Sequence, residues 1–227
     1  MPHTIFDAIP PATIRAVVFD CDGLLVDSES AWTRVQTELY AGFGVEFTQQ
    51  HKREILGRSA SAALAAIEGH LDRRGDGAAL WGEVTKLFEK EAERGHAEMP
   101  GAIAMVRRCA AVVPVGVASS ADPRHLDSNV ESLGLGDVLR VRVNGESVER
   151  LKPAPDPYLL ACKRLGVDPR DAVAFEDSAT GAASAMAAGL RVIAVPTVPG
   201  TIDDAAWVAE SLRDADVVAW AEQLRAG

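Results

Sequence analysis

Two carboxylates close an apolar run in Val17-Val18-Phe19-Asp20-Cys21-Asp22-Gly23, spaced i and i+2. In an extended backbone that spacing sends both side chains to the same side. Like charges held so close repel unless a cation or a shared proton neutralises them. The pair points to a divalent metal or to acid–base work, with a solvated strand end as the plain alternative. A calcium loop would need further oxygen ligands at its fifth and twelfth positions, where Leu24 and Ala31 stand. A glycosidase pair normally comes from separate elements whose carboxyls stand several ångströms apart.

Three more groups follow apolar runs or stiff loops. Glu176-Asp177 comes directly after Ala172 to Phe175. With Asp20 it offers the few oxygen ligands that Mg2+ accepts while keeping its waters. Capping of the next helix is the alternative, although Ser178 is placed to do that alone. Ser119-Ser120 follows Val112 to Ala118 and precedes a helix near Asp122, where hydroxyls and backbone N–H groups can receive a phosphate or an oxyanion. Lys152 lies in Leu151-Lys152-Pro153-Ala154-Pro155-Asp156-Pro157, a loop that three prolines stiffen around one cation. Such a lysine is a counter-charge for a phosphoryl group or a solvated side chain.

Together these groups fit phosphoryl transfer, which needs a nucleophile, a metal and a cation. In that chemistry Asp20 attacks phosphorus and Asp22 moves the proton. The five histidines fall in the N-terminal tail, the long insertion and a helix, away from the strand ends, and no Ser–His–Asp or Cys–His assembly suggests itself. Cys21, between the two acids, is read as buried packing, and Arg107-Arg108 as a solvated helix face.

The elements that must hold these groups are legible as four non-alternating apolar runs, Val17 to Phe19, Val112 to Ala118, Ala172 to Phe175 and Val192 to Val195. Strands buried on both faces of a parallel sheet read this way. Asp122-Pro123 and Asp156-Pro157 each look like an N-cap followed by proline at the first helical position. An Ala-rich stretch ending at Gly189 looks like a helix with its C′ glycine. Alternating strand and helix predicts a doubly wound, Rossmann-like α/β core with a parallel sheet. Ligands bind such sheets beyond the carboxyl ends of the strands, where the first three runs deliver polar groups.

More than eighty residues separate the first run from the second, too many for an ordinary connection. Leu64, Ile67 and Leu71, then Leu80, Val84, Leu87 and Phe88, repeat with helical period, and Arg73-Arg74-Gly75-Asp76-Gly77 breaks them. The expectation is an inserted α-helical cap domain over 29–99, acting as a lid, with Met99-Pro100-Gly101 as a hinge. The core then takes 1–28 and 100–227.

The chain has 227 residues, 48% hydrophobic and 25% charged, with a formal net charge of −10. Such a balance argues against nucleic-acid or anionic membrane partners, while a bound cation still allows a small anionic substrate. Three scattered cysteines form no disulfide framework or zinc spacing. No basic segment followed by a long apolar stretch opens the chain, and no run approaches transmembrane length. A cytoplasmic protein is expected, with its oligomeric state open.

In this order the motifs resemble those of the haloacid dehalogenase superfamily: Asp20-Cys21-Asp22-Gly23, Ser119 in Val117-Ala118-Ser119-Ser120, Lys152 in Leu151-Lys152-Pro153, and Glu176-Asp177. Leu24-Leu25-Val26-Asp27-Ser28-Glu29 resembles the subgroup of β-phosphoglucomutase and small sugar-phosphate phosphatases. The resemblance implies an Asp20 nucleophile and an Asp22 acid/base, with phosphate held by Ser119, Ser120 and Lys152. It implies Mg2+ on Asp20, the backbone carbonyl of Asp22 and Asp177, supported by Glu176. Cap residues His51, Arg53 and Arg58 become candidates for specificity. The expected activity is a Mg2+-dependent phosphatase acting on a small phosphorylated metabolite, a sugar or polyol phosphate. A phosphosugar mutase is one rival, and a phosphorylated signalling module is another. Trp32 replaces a histidine of the mutases, and Arg58 directly follows Gly57, both against a mutase. Dehalogenases of the superfamily lack an acid at the position of Asp22.

Overall fold

The computed structural model describes residues 4–55, 60–92, 96–202 and 204–225. The chain divides into two compact units, Ser28–His96 and the remainder, Met1–Asp27 with Ala97–Gly227.

In the larger unit, six strands form one sheet: β1 (Ala16–Phe19), β2 (Val115–Ala118), β3 (Val141–Val143), β4 (Ala172–Glu176), β5 (Arg191–Ala194) and β6 (Trp207–Val208). All pairings are parallel, in the order β3-β2-β1-β4-β5-β6. Its helices are α1 (Ile5–Ala8), α6 (Ala102–Ala110), α7 (Pro123–Ser132), α8 (Asp156–Leu165), α9 (Ala179–Ala188) and α10 (Ala215–Glu222). The smaller unit is helical: α2 (Ser28–Gly42), α3 (Gln49–Ile55), α4 (Ala60–His70) and α5 (Gly77–Ala92).

Both faces of the sheet are buried, which is why its strands show no polar alternation. Val17, Phe19, Val117, Phe175 and Ile193 point to a layer with Met105, Leu126 and Trp220. Ala16, Val18, Ala174, Val192 and Ala194 point to the other, with Tyr158, Ala182 and Ala185. Phe19 stacks on Phe175 at 5.1 Å, and Phe175 meets Trp220 edge-on at 6.1 Å. The smaller unit has its own core around Val35, Leu39, Tyr40, Ile67, Leu71, Leu80 and Val84, the last four of which belong to the helical repeat of the sequence. Among the described residues no helix is long and apolar enough to cross a membrane.

Several sequence readings change. Strands β3 and β6 were not among the four apolar runs; at three and two residues they are too short to carry a periodic signal. Strand β2 begins at Val115, because Val112 and Val113 turn back on Cys109 at the end of α6. Asp122 is an N-cap, its Oδ1 accepting from the N–H groups of Arg124 and His125. Asp156 is not. It is the first residue of α8 and caps nothing with its side chain, which is instead paired with Arg150 at 3.0 Å. The Met99 N–H donates to Leu25 O and the Asp27 N–H to Ala97 O. Residues 25–27 and 97–99 thus pair with each other, and Met99 groups with the larger unit.

Candidate active site

Strand β1 ends at Phe19, so Asp20 and Asp22 do not share a side of one extended strand. The chain turns immediately, with the N–H groups of Leu25 and Val26 bonded to Cys21 O and that of Gly23 to Val26 O. The two carboxyl groups therefore make different contacts. Gly23, with φ near 83°, permits the turn, and a Cβ there would lie 2.2 Å from Asp177 Oδ2. Bare glycine lets the ends of β1 and β4 approach each other.

Asp20 is 7% exposed, its N–H bonded to Phe175 O at 3.0 Å. Its Oδ1 accepts from Lys152 Nζ at 2.5 Å, and the same ammonium donates to Glu176 Oε1 at 2.5 Å. The Tyr158 hydroxyl also donates to Glu176 Oε1, at 2.5 Å, and the Lys152 ammonium lies 5.0 Å from the centre of that ring. Burial opposes charge on Lys152, but the Asp20 and Glu176 carboxylates more than offset it and hold its pKa above the ordinary value. Lys152 is buried among acids and not solvated. The loop places it by bonding the Ala154 N–H to Leu151 O and Ala154 O to the Ser184 hydroxyl at 2.6 Å.

Glu176 is fully buried at the end of β4. Ser178 caps α9 by accepting from the Gly181 N–H at 3.0 Å, so the helix does not need Glu176 for that task. Asp177 Oδ2 accepts from the Thr197 hydroxyl at 2.6 Å. Burial pushes the Asp177 carboxyl up to about 6, against the lowering effect of that hydrogen bond. Burial also raises the Asp20 carboxyl, with Lys152 opposing and Glu176, Asp177 and Asp22 adding to the rise. Among the described residues, oxygens of Asp20, Glu176 and Asp177 lie within 4.8 Å of one another. One ammonium leaves these acids in excess negative charge, and hard oxygen ligands of this kind suit a divalent cation. The donor set fits.

Asp22 takes another direction. Its Oδ2 accepts from the Ser119 hydroxyl at 3.1 Å, and its Oδ1 lies 3.3 Å from His125 Nε2. The Ser119 Oγ in turn accepts from the Ala121 N–H at 3.0 Å. Ser120 beside it is exposed. The Asp22 bond raises the His125 pKa above its ordinary value, against burial. The absence of histidine expected at the strand ends is thus corrected: His125, on the first turn of α7, reaches the second acid. Tyr158 and Thr197 were missed as well. Only Tyr158 carried a signal, as a polar aromatic in the helix that follows the lysine loop.

Cys21 is buried, with Asn129 Nδ2 at 3.8 Å from its sulfur. Arg107 is exposed and Arg108 half-buried, paired with Asp137 at 3.2 Å and with Glu222 respectively. His51 and Arg53 lie on α3 of the helical unit. The His51 ring packs 4.6 Å from His70, its Nδ1 accepting from the Thr48 N–H at 3.2 Å, while Arg53 is exposed. Arg58 lies outside the described residues.

A six-stranded parallel sheet with acids, a serine and a lysine gathered beyond its strand ends, and a helical unit inserted after the first strand, defines a Rossmann-like hydrolase. The chain belongs to the haloacid dehalogenase-like hydrolases, whose family model matches residues 14–189. It is 31% identical over 192 residues to the protein YhcW of Bacillus subtilis (strain 168), covering 83% of this chain and 87% of that one. It is 29% identical to hexitol phosphatase B of Escherichia coli (strain K12), over 82% of this chain and 85% of that one. The structure of CbbY from Rhodobacter sphaeroides in complex with phosphate resembles it with a TM-score of 0.70 at 27% identity, covering 91% of this chain and 99% of that one.

Proposed function

We propose that the protein is a cytoplasmic, Mg2+-dependent phosphatase that hydrolyses a small phosphorylated metabolite, a sugar or polyol phosphate. The observation that carries this reading is the division of labour between the two acids. Asp20 is buried against Lys152 among metal-type acids, whereas Asp22 is held apart by Ser119 and His125. The similarity to hexitol phosphatase B supports the substrate class.

Asp20 attacks phosphorus, forming an O–P bond as the bond to the leaving alkoxide breaks. Asp22 gives its proton to that oxygen, then takes one from the water that attacks the aspartyl-phosphate. The second attack breaks the Asp20 O–P bond and releases inorganic phosphate. Lys152 keeps Asp20 oriented and offsets the charge of the phosphoryl oxygens, with the Ser119 and Ser120 turn also facing phosphate. Asp20, the Asp22 backbone carbonyl and Asp177, with Glu176 in support, would hold Mg2+, which would further neutralise those oxygens. Arg58, His51 and Arg53 are the candidates for recognising the organic part of the substrate.

Screening phosphate release from a panel of sugar and polyol phosphates with Mg2+ tests the activity. Rapid mixing should show a burst of phosphoenzyme, and Asp20→Asn should abolish turnover. Full activity in that variant would sink the mechanism. Isomerised sugar phosphate in place of free phosphate would favour a mutase, and a long-lived phosphoenzyme with slow turnover a signalling module.

A further inference from the structure

We propose that His125 is a positioning residue for the Asp22 carboxyl, fixing the direction in which that group presents its proton. The proposal rests on the phosphatase reading above and adds a residue to it.

Asp22 has one oxygen on Ser119 and the other on His125, at 3.1 and 3.3 Å. Two contacts on opposite oxygens fix rotation of the carboxyl plane, which a single contact leaves open. The histidine is itself well placed. Asp122 caps α7 by accepting from the Arg124 and His125 N–H groups, at 3.0 and 3.1 Å, and Pro123 fixes the first turn. A side chain in the first turn leans back toward the helix N-terminus, here toward the end of β1. The ring is 14% exposed, so its place is set by packing as well as by hydrogen bonding.

A proton donor matters most when the leaving group is a poor one. His125→Phe keeps a planar ring and loses both nitrogens, whereas His125→Gln keeps a donor of similar reach. With Mg2+, kcat/KM for glycerol 1-phosphate should fall about 30-fold in His125→Phe, less than the roughly 100- to 10,000-fold that general-acid catalysis supplies, because Asp22 itself remains. For p-nitrophenyl phosphate, whose leaving group needs no proton, the fall should stay below about threefold. His125→Gln should recover most of the loss on glycerol 1-phosphate. Equal losses on the two esters, or none, overturn the proposal.

The contact is read separately by nitrogen NMR of histidine-labelled protein, with the His125 signal identified by its loss in His125→Gln. Asp22→Asn should shift that signal, and the remote Asp216→Asn should leave it in place. A signal unmoved by Asp22→Asn overturns the proposal whatever the activity. Wild-type protein silent on both esters counts against the phosphatase reading, and the NMR result then decides on His125 alone.

Discussion

Three carboxyl groups, Asp20, Glu176 and Asp177, meet beyond the sheet, with Lys152 buried against the first two. Charge of that sign and density in a buried place raises the acids that burial reaches first. Asp177 moves from an ordinary 3.8 to about 6. Its folded-state value lies above the unfolded one, so folding favours the protonated form between those values. Stability from this group is present at low pH and is lost as pH rises through about 6. Metal-free protein in a chelator should therefore melt higher at pH 5 than at pH 7, opposite to the trend of an acid paired with a cation. Mg2+ at pH 7 should restore the lost stability by mass action. Asp177→Asn should flatten the metal-free difference, and an unchanged difference in that variant would assign it to other groups.

At the level of elements, helix α9 shows how closely a helix must approach to serve this site. A Cβ on Gly181 would lie 2.0 Å from Glu176 Oε1, so the first turn of α9 is bare where the carboxylate packs. In an exposed helix interior, Gly to Ala gains about 1 kcal/mol of propensity. Here it displaces a fully buried acid that holds Lys152 and Tyr158. Disturbing a buried ion pair costs about 3–5 kcal/mol. The packing term wins, and Gly181→Ala should lower the urea midpoint instead of raising it. Leu126 and Val130 bury one side of α7, and Asp122 caps its start. That brings its first turn to β1, a relation invisible in a sequence where His125 and Asp22 stand 103 positions apart.

Over the whole molecule, all three cysteines are buried. Cys21 and Cys109 lie in the layer on one side of the sheet and Cys162 in the layer on the other. Burial pushes the Cys109 thiol up to about 12 and that of Cys162 up to about 11. Ellman's reagent at pH 8 should find no reactive thiol in the native protein and all three once the larger unit unfolds. Rapid reaction of even one thiol under native conditions would contradict this burial.

Apolar runs of β-formers, each followed by a reactive residue, determined the four central strands, the doubly wound class and the family, because strand burial and strand-end chemistry are local patterns. The helical repeats of Leu64 to Phe88 likewise determined two of the inserted helices, α4 and α5. The short strands β3 and β6 exist through pairing with neighbours and left no pattern of their own. Only the tertiary structure decided that Lys152 is buried between Asp20 and Glu176, that Thr197 holds Asp177, and that His125 meets Asp22. Each of these contacts joins residues remote in sequence, and the turn after Phe19, set by backbone hydrogen bonds to Cys21, decides which carboxyl meets which partner.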